Sequence, residues 1–189
     1  MIRKCLAAAI ICAALSVSAP VLAQEATKPT ANAEAMAKLN GMKGVWRGTA
    51  AGMSANGPFT VTQTERIGNM LGGDLIVIEG RGYKPDGSVA FNAFGVISYD
   101  APTGKYEFRA YNAGHGGTFP FTLTDTGGVW EFPVGPAAKI VSTITLTPTT
   151  WHEVQQYVAD GKPPVQTMEM TLQRVSDTDW PGANPVPPQ

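Results

Sequence analysis

The chain is poor in the residues from which most catalytic and metal sites are built. Of its 189 residues only Cys5 and Cys12 are cysteine and only His115 and His152 are histidine. There is no histidine pair at ligand spacing and no cluster of carboxylates, so no metal centre is expected. No Gly-x-x-x-x-Gly-Lys loop or dinucleotide fingerprint occurs. Nor is there a Gly-x-Ser-x-Gly elbow to support a hydrolase reading of the glycines around His115. Charge is sparse too: 15% of residues are charged, the net charge is −1, and no basic stripe of the kind nucleic acid requires is present. No apolar run approaches the roughly 20 residues that would span a bilayer.

The longest apolar run is short and lies at the start. Arg3 and Lys4 precede an apolar stretch from Leu6 to Val17, and Val21-Leu22-Ala23 supplies small residues for cleavage. This reads as an export signal over residues 1–23, which predicts a periplasmic or secreted protein beginning at Gln24. Cys12 follows the bulky Ile11, where a lipid-anchor motif needs a small residue. Removing the segment would take away both cysteines, so stability must come from packing rather than disulfides. It would also remove Arg3 and Lys4, leaving 12 basic against 15 acidic residues and a net charge of −3. The remaining 166 residues suffice for one domain with a sizeable core.

Beyond the signal, residues 24–38 read as a polar linker with Pro29, then a short helix capped by Asn32 that faces the core with Met36 and Leu39. After that the period changes to two. Strands are predicted near 43–53, 58–67, 74–82, 89–99, 105–112, 118–124, 128–134, 139–147, 150–158 and 165–175. Between them lie turn sequences such as "KPDGS" (84–88), "DAPTG" (100–104) and "DGKPP" (160–164). No connection is long enough for a crossover helix, so neighbours should pair antiparallel, and closing the meander into a barrel removes its edges. The expected architecture is a single all-β domain over residues 39–175, a ten-stranded antiparallel barrel, followed by a Pro-rich tail at 176–189. In that tail Trp180 either packs on the barrel or binds a partner.

Alternation assigns an inner face. Tyr106, Phe108 and Ala110 oppose Lys105, Glu107 and Arg109, while Phe119, Phe121 and Leu123 oppose threonines. Met168, Met170 and Leu172 oppose Thr167, Glu169 and Thr171. The expected lining is Phe91, Phe108, Phe121, Trp130, Phe132, Met168 and Met170. On "TWHEVQQYV" either Glu153 and Gln155 or His152 and Gln156 face inward, and the strand at 74–82 is apolar on both faces. Near Trp46, Gly48, Ala50 and Gly52 share its face. They either leave space inside the barrel or permit the sharp coiling of a closing strand.

The stretch "GVWRG" (44–48) after a helical turn resembles the Gly-x-Trp signature of lipocalin-like, or calycin, barrels, including the longer Gly-x-Trp-x-Gly form of nitrobindin. The resemblance implies that Trp46, between Gly44 and Gly48, plugs one barrel end and packs beneath a basic residue from the last strand, which would be Arg174. Three further stretches, "LGGDLIVIEGRG" (71–82), "FGVISYDAPTGKYEF" (94–108) and "DGKPPVQTMEMTLQR" (160–174), are similar to an uncharacterised bacterial family of such barrels. That family implies the fold and no settled activity. Nitrobindin-like relatives hold haem through a late-strand histidine. Neither His115 nor His152 matches that motif, so no cofactor is expected.

The reading that follows is an exported barrel binding a small apolar molecule, with Glu153 as polar anchor. The alternatives are a barrel isomerase, cyclase or hydrolase using an inward His/Glu pair from His152, Glu153 or His115, and a filled barrel serving as a structural or interaction module.

Overall fold

The computed structural model describes residues 30–54, 56–183 and 186–187. The expected export signal, both cysteines and most of the expected linker lie outside these residues.

The first described element is the helix α1 (Ala31–Ala37), capped by Thr30 rather than Asn32. The Thr30 hydroxyl oxygen accepts from the Ala33 amide at 3.1 Å and donates to Asp74 at 3.2 Å, which ties the helix start to a distant turn. Ten strands follow: β1 (Gly44–Ser54), β2 (Gly57–Met70), β3 (Leu75–Tyr83), β4 (Val89–Asp100), β5 (Lys105–Asn112), β6 (His115–Thr124), β7 (Gly127–Pro133), β8 (Ala138–Leu146), β9 (Thr150–Ala159) and β10 (Val165–Ser176). Each pairs antiparallel with its sequence neighbour, and β10 pairs with β1. The molecule is therefore a closed ten-stranded antiparallel meander barrel with a short helix at one end, as the alternation and turn spacing predict.

The largest departure is at β6. Residues 112–117 read as a glycine-rich connection, yet the turn is only Ala113 and Gly114, both at positive φ (49° and 80°), and His115 already pairs with Asn112. Two consecutive left-handed residues are the tight hairpin geometry whose twist matches that of the flanking strands, so the strands run on to the turn.

The end beside α1 is packed solid. Met36, Leu39, Met42, Trp46, Ile67, Ile76, Ile97, Trp151 and Leu172 are buried together. Trp46 donates its indole N–H to the Met42 carbonyl at 2.8 Å and meets Trp151 edge-on, with centroids 5.9 Å apart. Arg174 lies over the Trp46 ring at 4.3 Å and donates to the carbonyls of Lys43, Gly41 and Pro148. Tyr106 reaches the Ala35 carbonyl at 2.8 Å, fixing the helix across this end.

The small inner residues of β1 serve strand approach. A Cβ on Gly48 would lie 2.0 Å from the Thr171 carbonyl oxygen, and one on Gly52 would lie 2.2 Å from that of Thr167. The backbone of β10 occupies the space a side chain would need. Of the two readings of these glycines, the seam accounts for them and lumen volume does not.

Candidate functional site: a half-polar lumen

The register of the paired strands fixes which side chains face the barrel axis. On β2 the inward set is Phe59, Val61, Gln63, Glu65 and Ile67. Opposite Gln63 and Glu65 on β3 stand Gly82 and Gly80. A Cβ at Gly80 would be 2.8 Å from the Glu65 carboxyl oxygens, and one at Gly82 would be 3.0 Å from the Gln63 amide oxygen. These glycines make room for two long polar side chains laid against the wall. The double apolar character of β3 resolves the same way, with Ile76, Ile78, Gly80 and Gly82 inward, while Val77 is buried on the other face.

On β9 the inward residues are Trp151, Glu153, Gln155 and Tyr157, in register with Leu146, Ile144, Ser142 and Ile140 of β8. His152 is on the outer face, 2.9 Å from Glu169. The expected acid–base pairing of His152 with Glu153 inside the barrel is thereby corrected: adjacent strand residues point to opposite faces. His115 has inward parity but is exposed at the far end, beside the hairpin turn.

Of the predicted lining, Phe108, Phe121, Trp130, Phe132, Glu153, Met168 and Met170 all have inward parity. Phe121 and Met170 are fully packed. Phe91 has inward parity too, but it is 43% exposed at the end away from α1. Phe108, Phe119, Trp130 and Phe132 form a connected aromatic wall on β5 to β7. Phe108 and Trp130 are edge to face at 5.0 Å, and Trp130 stacks on Phe132 at 5.4 Å. Two of these rings pack against inner glycines. A Cβ at Gly95 would be 2.4 Å from the Phe108 ring, and one at Gly117 would be 2.5 Å from Phe119. Rings held against glycine backbone line the wall. Phe108, Phe119, Trp130, Phe132, Gln155 and Met168 are half-buried; nearer α1, Trp46, Ile67, Ile97, Trp151 and Leu172 are fully buried, while Tyr99, Tyr106 and Leu146 are half-buried as well.

Between the plugged end and the aromatic wall sit two buried carboxyl groups. Glu153 accepts from the Ser142 hydroxyl and, at 3.2 Å, from the Trp151 indole N–H. Glu65 accepts from Gln63 at 2.8 Å through one oxygen, while its other oxygen is buried with no partner. Burial pushes the Glu65 carboxyl up to about 8, against the Gln63 hydrogen bond, and the negative fields of Glu153 and Glu79 add to the rise. Burial likewise raises Glu153, opposed by its hydrogen bonds from Ser142 and Trp151. At neutral pH Glu65 is mostly protonated, because ionising it here would strand a charge in a site without a cation. Alternation in "FTVTQTERI" carries the signal for Glu65: Phe59, Val61 and Ile67 alternate with Thr60, Thr62 and Arg66, so Gln63 and Glu65 share the apolar face. Ser142 had no comparable mark.

A surface groove of about 580 Å³ lies outside the plugged end, lined in part by Lys43, Asn69, Arg174 and Trp180. Arg174 is committed there to Trp46 and three carbonyls, and Trp180 packs on the barrel with Arg66 4.4 Å from its ring. These contacts hold the tail and the seam together. Among the described residues no group of three or more His, Cys, Asp and Glu could hold a metal, and no helix is long and apolar enough to cross a membrane.

These features define a closed ten-stranded barrel with one plugged end and a lumen that is aromatic on one side and carboxyl-bearing on the other. No protein-family profile matches the chain, and no curated protein does. Among solved structures it is similar to Rv2717c from M. tuberculosis, at 15% identity and a TM-score of 0.56, over 78% of this chain and 99% of that one. A protein of unknown function of the DUF3598 family from Nostoc punctiforme is a more distant match, at 8% identity and a TM-score of 0.24, over 72% of this chain and 97% of that one. The first likeness extends to the fold alone and is consistent with an uncharacterised barrel family.

Proposed function

We propose that this is an exported, calycin-like barrel that binds a small, mainly apolar molecule in its lumen, as carrier, scavenger or sensor. The observation that carries the reading is the half-buried aromatic wall of Phe108, Phe119, Trp130 and Phe132, with rings seated over glycines and a polar floor of Glu65 and Glu153 below. Binding pockets are typically apolar with a few convergent polar groups, and a ten-stranded barrel is wider than the eight-stranded ones that already hold one small ligand. The Arg174–Trp46 contact supports the calycin-like assignment, because it joins the first strand to the last in the way that resemblance implies. Export rests on the sequence of residues 1–23. An enzymic reading built on His152 and Glu153 together loses support, since the two lie on opposite faces.

The test is native mass spectrometry of the purified protein after mild extraction, with titration of an apolar fluorophore alongside. A co-purifying small molecule or saturable uptake is the expected result. An empty protein that takes up none of several apolar probes would overturn the reading in favour of a filled structural barrel.

A further inference from the structure

We infer that the lumen selects organic cations: an apolar, preferably aromatic body carrying an ammonium group, seated with its ring among Trp130, Phe119 and Phe132 and its nitrogen on the unpartnered oxygen of Glu65. This rests on the lumen-binding reading above and adds the chemical class of its ligand.

Three independent features converge on a cation. First, Glu65 is 92% buried by its 8% exposure, faces inward by register, and has one oxygen with no hydrogen-bond partner. Once the carboxyl is ionised that oxygen is a buried, unmatched acceptor, and a charged donor arriving with a ligand removes the cost of ionising it there. Second, the lumen is electrostatically one-sided. The charged groups acting on Glu65 are Glu153 from β9 and Glu79 from the outer face of β3, both acidic. Glu79 is matched on that outer face by Arg66 and Arg81. The other polar groups around Glu65 and Glu153 are Gln63, Ser142, Trp151, Trp130 and Gln155, all neutral. Among the described strands the basic side chains with inward parity are Arg174, at the plugged end and already holding three carbonyls, and His115, exposed at the far end beside the hairpin turn. Third, the wall beside the carboxyls is built from rings, whose faces attract cations.

The chemistry balances simply. Free protein carries Glu65 as the neutral acid over most of the neutral range. An ammonium ion docking there stabilises the carboxylate, and the carboxyl proton leaves to solvent. The complex then holds one buried pair of opposite charges in place of one neutral acid. Affinity for a permanent cation should therefore rise about tenfold per pH unit below the carboxyl's own titration and level off above it. A ligand that needs the protonated acid as a donor would show the opposite dependence.

Three probes with one aromatic body separate the possibilities: naphthylmethylamine, naphthylmethanol and naphthylacetate, titrated calorimetrically into the full mature protein at pH 6, 7 and 8. Buffers of different ionisation enthalpy report the proton count. The expected order is amine, then alcohol, then carboxylate, with close to one proton released per amine bound at pH 6 to 7 and an amine affinity that climbs about tenfold across that unit. In Glu65→Gln the amine should lose at least tenfold and its pH dependence, while the alcohol keeps its affinity, which also shows that the variant is folded. Equal binding of all three probes, tightest binding of the carboxylate, or proton uptake with the amine would overturn the inference while leaving lumen binding intact. Failure of all three to bind would overturn the lumen-binding reading and this inference with it. If the variant does not fold, the wild-type probe order and proton count decide alone.

Discussion

The buried acid on β2 should make this protein lose stability as pH rises through neutrality. In the unfolded chain Glu65 titrates near its ordinary 4.5, and in the folded barrel near 8. Between those values the folded state holds a proton that the unfolded state has released, so each pH unit favours unfolding by about 1.4 kcal/mol. The contribution is fully present below pH 4.5 and is lost as pH rises through 8, for a total of about 5 kcal/mol. From pH 5 to pH 7 alone the loss is about 2 to 3 kcal/mol, a large fraction of the stability of an ordinary domain. Glu153 acts in the same direction. Glu79 and Glu169 act in the opposite one. For Glu79 the hydrogen bonds from Arg81 and Arg66 outweigh a burial that works against them, and His152 lowers Glu169. Their contribution is present above their unfolded values and lost only as pH falls further, so a window from pH 5 to 9 isolates the buried acids. Urea unfolding followed by tryptophan fluorescence at five pH values in that window, for wild type and Glu65→Gln, is the assay. Wild-type stability should fall with pH, and the variant, with a neutral side chain of the same shape, should lose most of that slope and exceed wild type above pH 8. Equal slopes in the two proteins would refute the assignment of a buried, neutral Glu65.

The other expectations concern the seam, the plug, one turn and the tail. Gly48→Ala should cost at least about 3 kcal/mol or prevent folding, because its Cβ meets the β10 backbone, whereas Gly41→Ala, with its nearest atom 4.0 Å away, should change stability by less than about 0.5 kcal/mol; thermal melts compare them. Arg174→Met should cost about 2 to 4 kcal/mol in urea titrations, since it strips three backbone carbonyls of a charged donor and uncovers the Trp46 ring. Ala113→Asn should stabilise by about 0.5 to 1 kcal/mol, because Ala113 sits at positive φ in a two-residue hairpin turn where asparagine is favoured; an unchanged or lower melting temperature would count against that turn geometry. Trp180→Ala should cost only about 1 kcal/mol, the worth of one exposed cation–π contact and modest burial over β2.

Much of this protein was legible in its sequence because strand period and turn chemistry are local. Alternating side chains in "KYEFRAYN" and "TMEMTL" have one physical meaning wherever they occur, and the inward aromatics followed from them. Boundaries failed where a local signal had two readings. Glycines at 114, 116 and 117 look like a loop, but two of them are strand positions lying under neighbouring rings.

What the sequence determined by itself was the strand count, the antiparallel order and the inward parity of most residues, because nearest-neighbour sterics set all three. Only the tertiary structure decided that Glu65 and Glu153 share one enclosed space, that β10 crosses the glycines of β1, and that His152 belongs to the outside. Those facts depend on which distant strands meet when the sheet closes, and no local pattern along the chain encodes that distance.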